Sequence, residues 1–252
     1  MCKILFSLFS FIFLLSCNNL KENTEKEFYN NGDLKAVHII RNGRKSDSSI
    51  YYYPNNGISK IIHYLEKDTT FEKDFSEKSK LLSEGKNVKN RMIGKWKFYK
   101  VNGKLDKIVE YINLCGKQYT NQGWYFDEKG DTLKKYGNYF DFKWSSKIIK
   151  KNQVVSLQMT YKPIIYLNSE VELCLDTEKK VSKDFCNIHK VKLAKFYKSS
   201  DVLETYFKFE TSGKKNIRGY IREFFNREET EQDSITSGER YLYFDIPVEI
   251  KN

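Results

Sequence analysis

Through the first half of this chain an aromatic residue repeatedly stands four positions ahead of a glycine. The units are Phe28-Tyr-Asn-Asn-Gly32, Tyr53-Pro-Asn-Asn-Gly57, Tyr99-Lys-Val-Asn-Gly103 and Phe126-Asp-Glu-Lys-Gly130. Gly57 and Gly103 are 46 residues apart, and midway lies Phe75-Ser-Glu-Lys-Ser79, where Ser79 takes the glycine position. Turn positions Gly32, Gly57, Ser79, Gly103 and Gly130 therefore recur at steps of 25, 22, 24 and 27 residues. Periods of this length mark supersecondary units that stack on one another.

The physics of one unit is legible. An aromatic-rich strand, such as Tyr51-Tyr52-Tyr53 or Trp96-Lys97-Phe98-Tyr99, runs into Asn-Gly or Lys-Gly. These residues accept the positive φ of a tight turn. A second strand follows, with Leu105, Ile108 and Tyr111 as its apolar positions in the fourth unit, and another turn such as Arg41-Asn42-Gly43-Arg44 returns the chain. Each unit is a β-hairpin, and a lone hairpin is marginal in water. Stacked neighbours let the aromatics form a continuous ladder, so they read as core and not as a ligand-stacking platform. With 18 Tyr, 18 Phe and only 3 Pro, the chain favours strands. The expected fold class is mainly β.

The run from Glu84-Gly85-Lys86 through Gly94-Lys95-Trp96-Lys97-Phe98-Tyr99-Lys100-Val101-Asn102-Gly103-Lys104-Leu105 resembles the variant MORN repeat. That repeat occurs in bacterial exported proteins and in YwqK-like antitoxins. The resemblance covers about residues 27–140, within a hairpin-repeat domain of residues 27–142, and implies an elongated antiparallel sheet of hairpins; it suggests binding or scaffolding and does not imply catalysis.

After Phe142 the period stops. Candidate strands follow at Val154–Tyr161, Ile164–Leu167, Val171–Leu175, Phe185–Lys192, Val202–Glu210, Asn216–Phe225 and Glu239–Ile250. Short strands at this spacing predict an immunoglobulin-like antiparallel β-sandwich over residues 143–252, joined to the repeats through Asp141–Asn152.

The N-terminus carries an address. Lys3, a nearly unbroken apolar run from Ile4 to Leu15, and Ser16 before Cys17 have the layout of a bacterial lipoprotein signal. Residues 1–16 would be removed, Cys17 would carry the lipid (palmitate among its acyl chains), and residues 17–26 would form a polar tether. The apolar run is too short to span a hydrocarbon core of about 30 Å. Asn18 in place of the inner-membrane retention signal Asp directs the expectation to the outer membrane, facing the periplasm or the exterior. Removal of the signal leaves Cys115, Cys174 and Cys186. Either Cys174 and Cys186 are bridged across a hairpin of Val171–Asp176 and Phe185–Val191, or all three are buried thiols.

Charge and chemistry set the remaining bounds. The formal net charge of +11 comes mainly from lysine, with 7 Arg against 37 Lys spread among 33 acids. Base readers concentrate arginine for bidentate contacts, so a solvated lysine surface without nucleic-acid binding is expected. No Gly-rich phosphate loop, nucleophile elbow or His-Glu-x-x-His motif is present. His38, His63 and His189 stand apart in sequence and read as strand-surface residues, while Glu228-Glu229 reads as a solvated loop. No metal site, cofactor or catalytic residue is expected. The chain reads as a lipid-anchored envelope protein that binds an unidentified protein or envelope polymer. The alternative is an envelope hydrolase whose two acids are distant in sequence.

Overall fold

Five turns built on one plan organise the first half. In the fourth unit, Gly103 N–H donates to the Lys100 carbonyl at 2.8 Å and Lys100 N–H donates to the Lys104 carbonyl at 2.8 Å. Gly103 sits at φ +84. This is a three-residue hairpin loop closed by one left-handed residue. The same pair of bonds joins Tyr29, Gly32 and Asp33; Tyr53, Asn56 and Gly57; Ser76, Ser79 and Lys80; and Asp127, Gly130 and Asp131. Gly32, Asn56, Ser79, Gly103 and Gly130 all have positive φ.

The second unit corrects the sequence reading by one residue, since the left-handed position is Asn56 and not Gly57. Pro54 supplies the reason. Its fixed φ of about −65° belongs at the second position of a type I turn, which sets Tyr53 first and Asn56 fourth. Asparagine tolerates the left-handed region, so nothing resists this register. Asn31, Asn55 and Asn102 then occupy one equivalent site, and each Oδ1 accepts an N–H two residues on, at 3.1, 3.1 and 3.0 Å.

The computed structural model describes residues 22–66, 68–133, 136–161, 169–197, 202–226 and 237–252. The signal segment, Cys17, the expected strand Ile164–Leu167 and the Glu228-Glu229 loop lie outside them. The hairpins form a nine-stranded antiparallel sheet in sequence order. Its strands are β1 (Glu22–Phe28), β2 (Leu34–Arg41), β3 (Arg44–Tyr52), β4 (Ile58–Tyr64), β5 (Thr69–Phe75), β6 (Leu81–Val88), β7 (Arg91–Tyr99), β8 (Leu105–Leu114) and β9 (Lys117–Tyr125). Register shifts recur at the repeat aromatic, which pairs with an aliphatic residue six positions on: Phe28 with Leu34, Tyr52 with Ile58, Phe75 with Leu81 and Tyr99 with Leu105. At the opposite edge, two-residue turns with two left-handed residues close β2–β3 (Asn42, Gly43), β6–β7 (Lys89, Asn90) and β8–β9 (Cys115, Gly116). Neighbouring units are tied through tyrosine: Tyr29 OH donates to the Tyr52 carbonyl at 2.6 Å, and Tyr53 OH to the Phe75 carbonyl at 2.7 Å. Such nearest-neighbour bonds are what a stack of repeats needs.

The turn geometry makes a direct prediction. No atom lies within 4 Å of a Cβ built on Gly103, so a substitution there meets only backbone strain. Gly103→Val should cost about 1–2 kcal/mol, because a branched residue suits positive φ worst. Ser79 already bears that strain at φ +56, so Ser79→Gly should stabilise by about 0.5–1 kcal/mol. Urea denaturation midpoints measure both, and a null result at each would refute the shared turn.

The second half is a two-sheet β-sandwich. One sheet runs β10 (Phe140–Trp144), β12 (Val154–Tyr161), β15 (Val202–Lys208). The other runs β11 (Ile149–Lys150), β17 (Ser237–Lys251), β16 (Gly213–Asn226), β13 (Glu170–Leu175), β14 (Ala194–Tyr197), with β11 parallel to β17. Leu157 and Met159 of the first sheet share one core with Leu173, Ile221 and Leu242 of the second. Two expectations change here. Asp141–Asn152, expected as a connection, carries β10 and β11. Phe185–Lys192, expected as a strand, forms a loop with a 3-10 turn at Ile188–Lys190, and the strand comes later as β14.

That change overturns the expected Cys174–Cys186 bridge. Opposite Cys174 stand Lys195 of β14 and Tyr220 of β16, and its thiol is free and buried. The Asp176 carboxylate accepts the N–H groups of Lys180 (3.1 Å) and Val181 (2.7 Å), folding the chain into a loop instead of a return strand. The loop carries Cys186 to the β8–β9 turn, where it is bonded to Cys115 across 71 residues of sequence.

Candidate functional site

The hairpin sheet is one layer thick, and this sets which residues it can bury. Among the described strands, the main contacts of β1–β6 are with their sheet neighbours, and the sandwich meets the sheet chiefly at its β9 end. With no second layer to cover large side chains, the residues that vanish from solvent are mostly small or polar ones roofed by long neighbours. They include Ala36, His38, Ser49, Glu72, Ser83 and Asn87, whereas Trp96 is the fully buried aromatic of β1–β9. The expected aromatic ladder is thus largely half-buried, and its central column is polar.

His38 is the main surprise in that column. Expected at the surface, it is 1% exposed. Its Nε2 lies 2.8 Å from Glu27 Oε1 and 3.0 Å from Lys45 Nζ, while Nδ1 lies 2.8 Å from Ser49 Oγ. Ser49 in turn lies 2.9 Å from the Tyr64 hydroxyl. The bond to His38 holds the Glu27 carboxyl below the usual carboxylate range, with Lys45 and Lys35 reinforcing it against a partial burial penalty. Carboxylate, imidazole and hydroxyl stand in the order of a hydrolase triad. Ser49, however, has 0% exposure and shares its hydroxyl with Tyr64, so a substrate carbonyl has no approach to it. The relay satisfies buried polar groups along the column.

A second polar group continues it. Glu72 takes hydrogen bonds from Thr70 (2.8 Å) and Lys60 (3.2 Å), and Lys60 also pairs with Asp74 at 3.2 Å. Burial works to raise the Glu72 carboxyl, but Asn87, Thr70 and Lys60 outweigh it and the group ends below its usual range. Partners on adjacent strands, with Thr70 two residues before Glu72 on β5, explain these residues. In sequence, Glu27, His38 and Ser49 recur at intervals of 11, a signal visible once the hairpin register is known.

The junction with the sandwich is made of aromatic rings and amides. Tyr119 OH donates to the Tyr241 carbonyl at 2.9 Å, and its ring meets Tyr243 edge-on at 5.4 Å. Asn121 mimics a strand, its Nδ2 donating to the Tyr243 carbonyl and its Oδ1 accepting Tyr243 N–H, both at 2.8 Å. His189 sits among Tyr220, Tyr241 and Tyr243. Burial, with the nearby Tyr119 and Tyr241, pushes the Tyr243 hydroxyl up to about 12. His63 alone of the three histidines is an exposed strand residue, as expected.

Grooves open beside this junction. One of about 440 Å³ lies at the ends of the β6–β7 and β8–β9 hairpins, floored by Val88, Met92, Ile93 and Ile112. A second of about 430 Å³ shares Ile93 and Ile112 with it and reaches Phe185 of the sandwich loop. A third of about 320 Å³ lies between Trp124 and Phe140. Among the described residues no three metal-ligating side chains converge. Of the site residues expected from sequence, the turn positions line one edge of the sheet and Cys186 the other, near its partner Cys115. Cys17 lies outside the described residues.

A scan against protein families and a search of the curated proteins both find no match.

Proposed function

We propose that the chain is a lipid-anchored cell-envelope protein that binds or scaffolds through its hairpin sheet, on the plan of the MORN-variant repeats it resembles. The observation that carries this reading is the sheet's architecture: nine strands in one layer, with the main strand contacts of β1–β6 confined to their neighbours within the sheet. Val37, Ile50 and Ile61 align across β2, β3 and β4 on one face, each partly exposed. A half-exposed apolar row set in a polar sheet is the kind of surface that accepts a protein or polymer partner. The anchor is assigned to Cys17, with the outer membrane as its site because Asn18 follows it. The hydrolase alternative has less support, because the carboxylate–imidazole–hydroxyl relay keeps its hydroxyl inside the sheet.

Two measurements test the proposal. Cys17→Ala should release the protein from membranes and abolish labelling by radioactive fatty acid. Crosslinking in intact cells should capture a partner that Ile50→Asp with Ile61→Asp loses while the Cys115–Cys186 bond still forms. A wild-type protein already soluble and unlabelled would refute the anchor. Absence of a partner sensitive to that face, together with turnover of an envelope polymer, would refute the binding role.

A further inference from the structure

The groove at the hairpin ends has an asymmetry of charge. Lys89 lies in the β6–β7 turn, Arg91 follows it and Lys117 follows the β8–β9 turn, and all three line the groove of about 440 Å³. None of the three side chains has an ion pair or hydrogen bond among the described residues, and the same lining holds no acid. The adjoining groove does include acids, but each is engaged inside the protein. Glu110 accepts from Asn121 (2.7 Å) and Gln122 (2.8 Å), Asp245 pairs with Arg218 (3.2 Å), and Asp184 accepts from Ser182 (2.7 Å). Three unpaired cations at one end therefore face an apolar channel floored by Ile93 and Ile112 and reaching Phe185.

We propose that this channel binds a long-chain carboxylate: one acyl chain along Ile93, Ile112 and Phe185, with its head group against Lys89, Arg91 and Lys117. Size and polarity both select this occupant. A volume of about 440 Å³ falls in the usual range of small-molecule sites. A peptide needs backbone partners along its length; the β7–β8 ladder stops at Gly94 and Tyr111, and beside the groove the Met92 N–H is already taken by Gln118 Oε1 at 2.8 Å. An acyl chain needs no hydrogen bond until its head, where cations without partners supply the counter-charge at little desolvation cost. The assignment stands on the groove alone and does not depend on the lipid anchor or on the open face of β1–β6.

Photo-crosslinking of the purified full chain in solution tests it, with diazirine-bearing palmitate as the probe and diazirine-bearing hexadecanol as the uncharged control. Palmitate should label residues within 88–93 and 111–118, and unlabelled palmitate should compete. Arg91→Glu with Lys117→Glu should lower that labelling about tenfold, to the level of the alcohol. Ile93→Trp, which fills the channel, should lower it as well. Formation of the Cys115–Cys186 bond on a non-reducing gel reports that each variant has folded. Labelling scattered over the sheet, equal labelling by acid and alcohol, or insensitivity to both substitutions would overturn the proposal. Competition by an acidic peptide but not by palmitate would do the same.

Discussion

Trp96→Ala is expected to destabilise the protein by about 3–5 kcal/mol, the usual cost of emptying a buried tryptophan site. Trp96 is 1% exposed, and its Nε1 donates to the Lys86 carbonyl at 2.8 Å. Its indole lies across Gly85 of β6, so closely that a Cβ on Gly85 would come within 2.4 Å of the ring. In a sheet without a second layer, this is how a large aromatic gets buried: the neighbouring strand gives up its side chain, and the ring lies down in the gap. Gly85→Ala should therefore cost about 2–3 kcal/mol by displacing the ring. In the Trp96→Ala background, however, it should cost less than about 0.5 kcal/mol. A double-mutant cycle in urea measures that coupling. Equal costs of Gly85→Ala in both backgrounds would rule out the seat.

The disulfide carries the second large effect. Cys115 and Cys186 close a loop of 71 residues that contains β9 and much of the sandwich. Chain-entropy reasoning assigns such a closure about 4 kcal/mol. Cys115→Ser and Cys186→Ser should each lose nearly all of it, with Tm falling by about 10 °C. Because one bond is broken in each case, the double variant should match the single ones. Peptide mapping without reductant should recover a fragment joining residues 115 and 186, and none joining 174 and 186. Cys174→Ala should leave that linked fragment intact, since the Cys174 thiol lies inside the sandwich loop cluster with Val181, Phe185 and Tyr220. Identical thermal stability of wild type and Cys115→Ser would contradict the stapling role.

What depends on neighbours along the chain is legible in the sequence. The five turns, the alternating strands and the change of pattern after residue 142 all follow from local rules: glycine or asparagine where φ must be positive, and apolar alternation between. The left-handed residue of the second unit is Asn56 and not Gly57, because Pro54 sets the register of that turn. A proline pins a turn's second position, whereas a glycine fits the left-handed site without being needed there. The Cys174–Cys186 expectation failed for a related reason. Two apolar segments flanking a polar stretch look like a hairpin, but the Asp176 carboxylate caps the backbone just after β13 and turns that stretch into a loop.

What the sequence by itself determined is therefore the hairpin repeat, its period and the all-β character, because each rests on contacts within about thirty residues. The tertiary structure alone decided the polar column through His38, the burial of Trp96 over Gly85, the Cys115–Cys186 bond and the cation-rimmed groove. Those features join residues by strand register or by the docking of the sandwich on β9. Register and docking are set by packing across the whole sheet, and a one-residue slip would send every side chain to the other face.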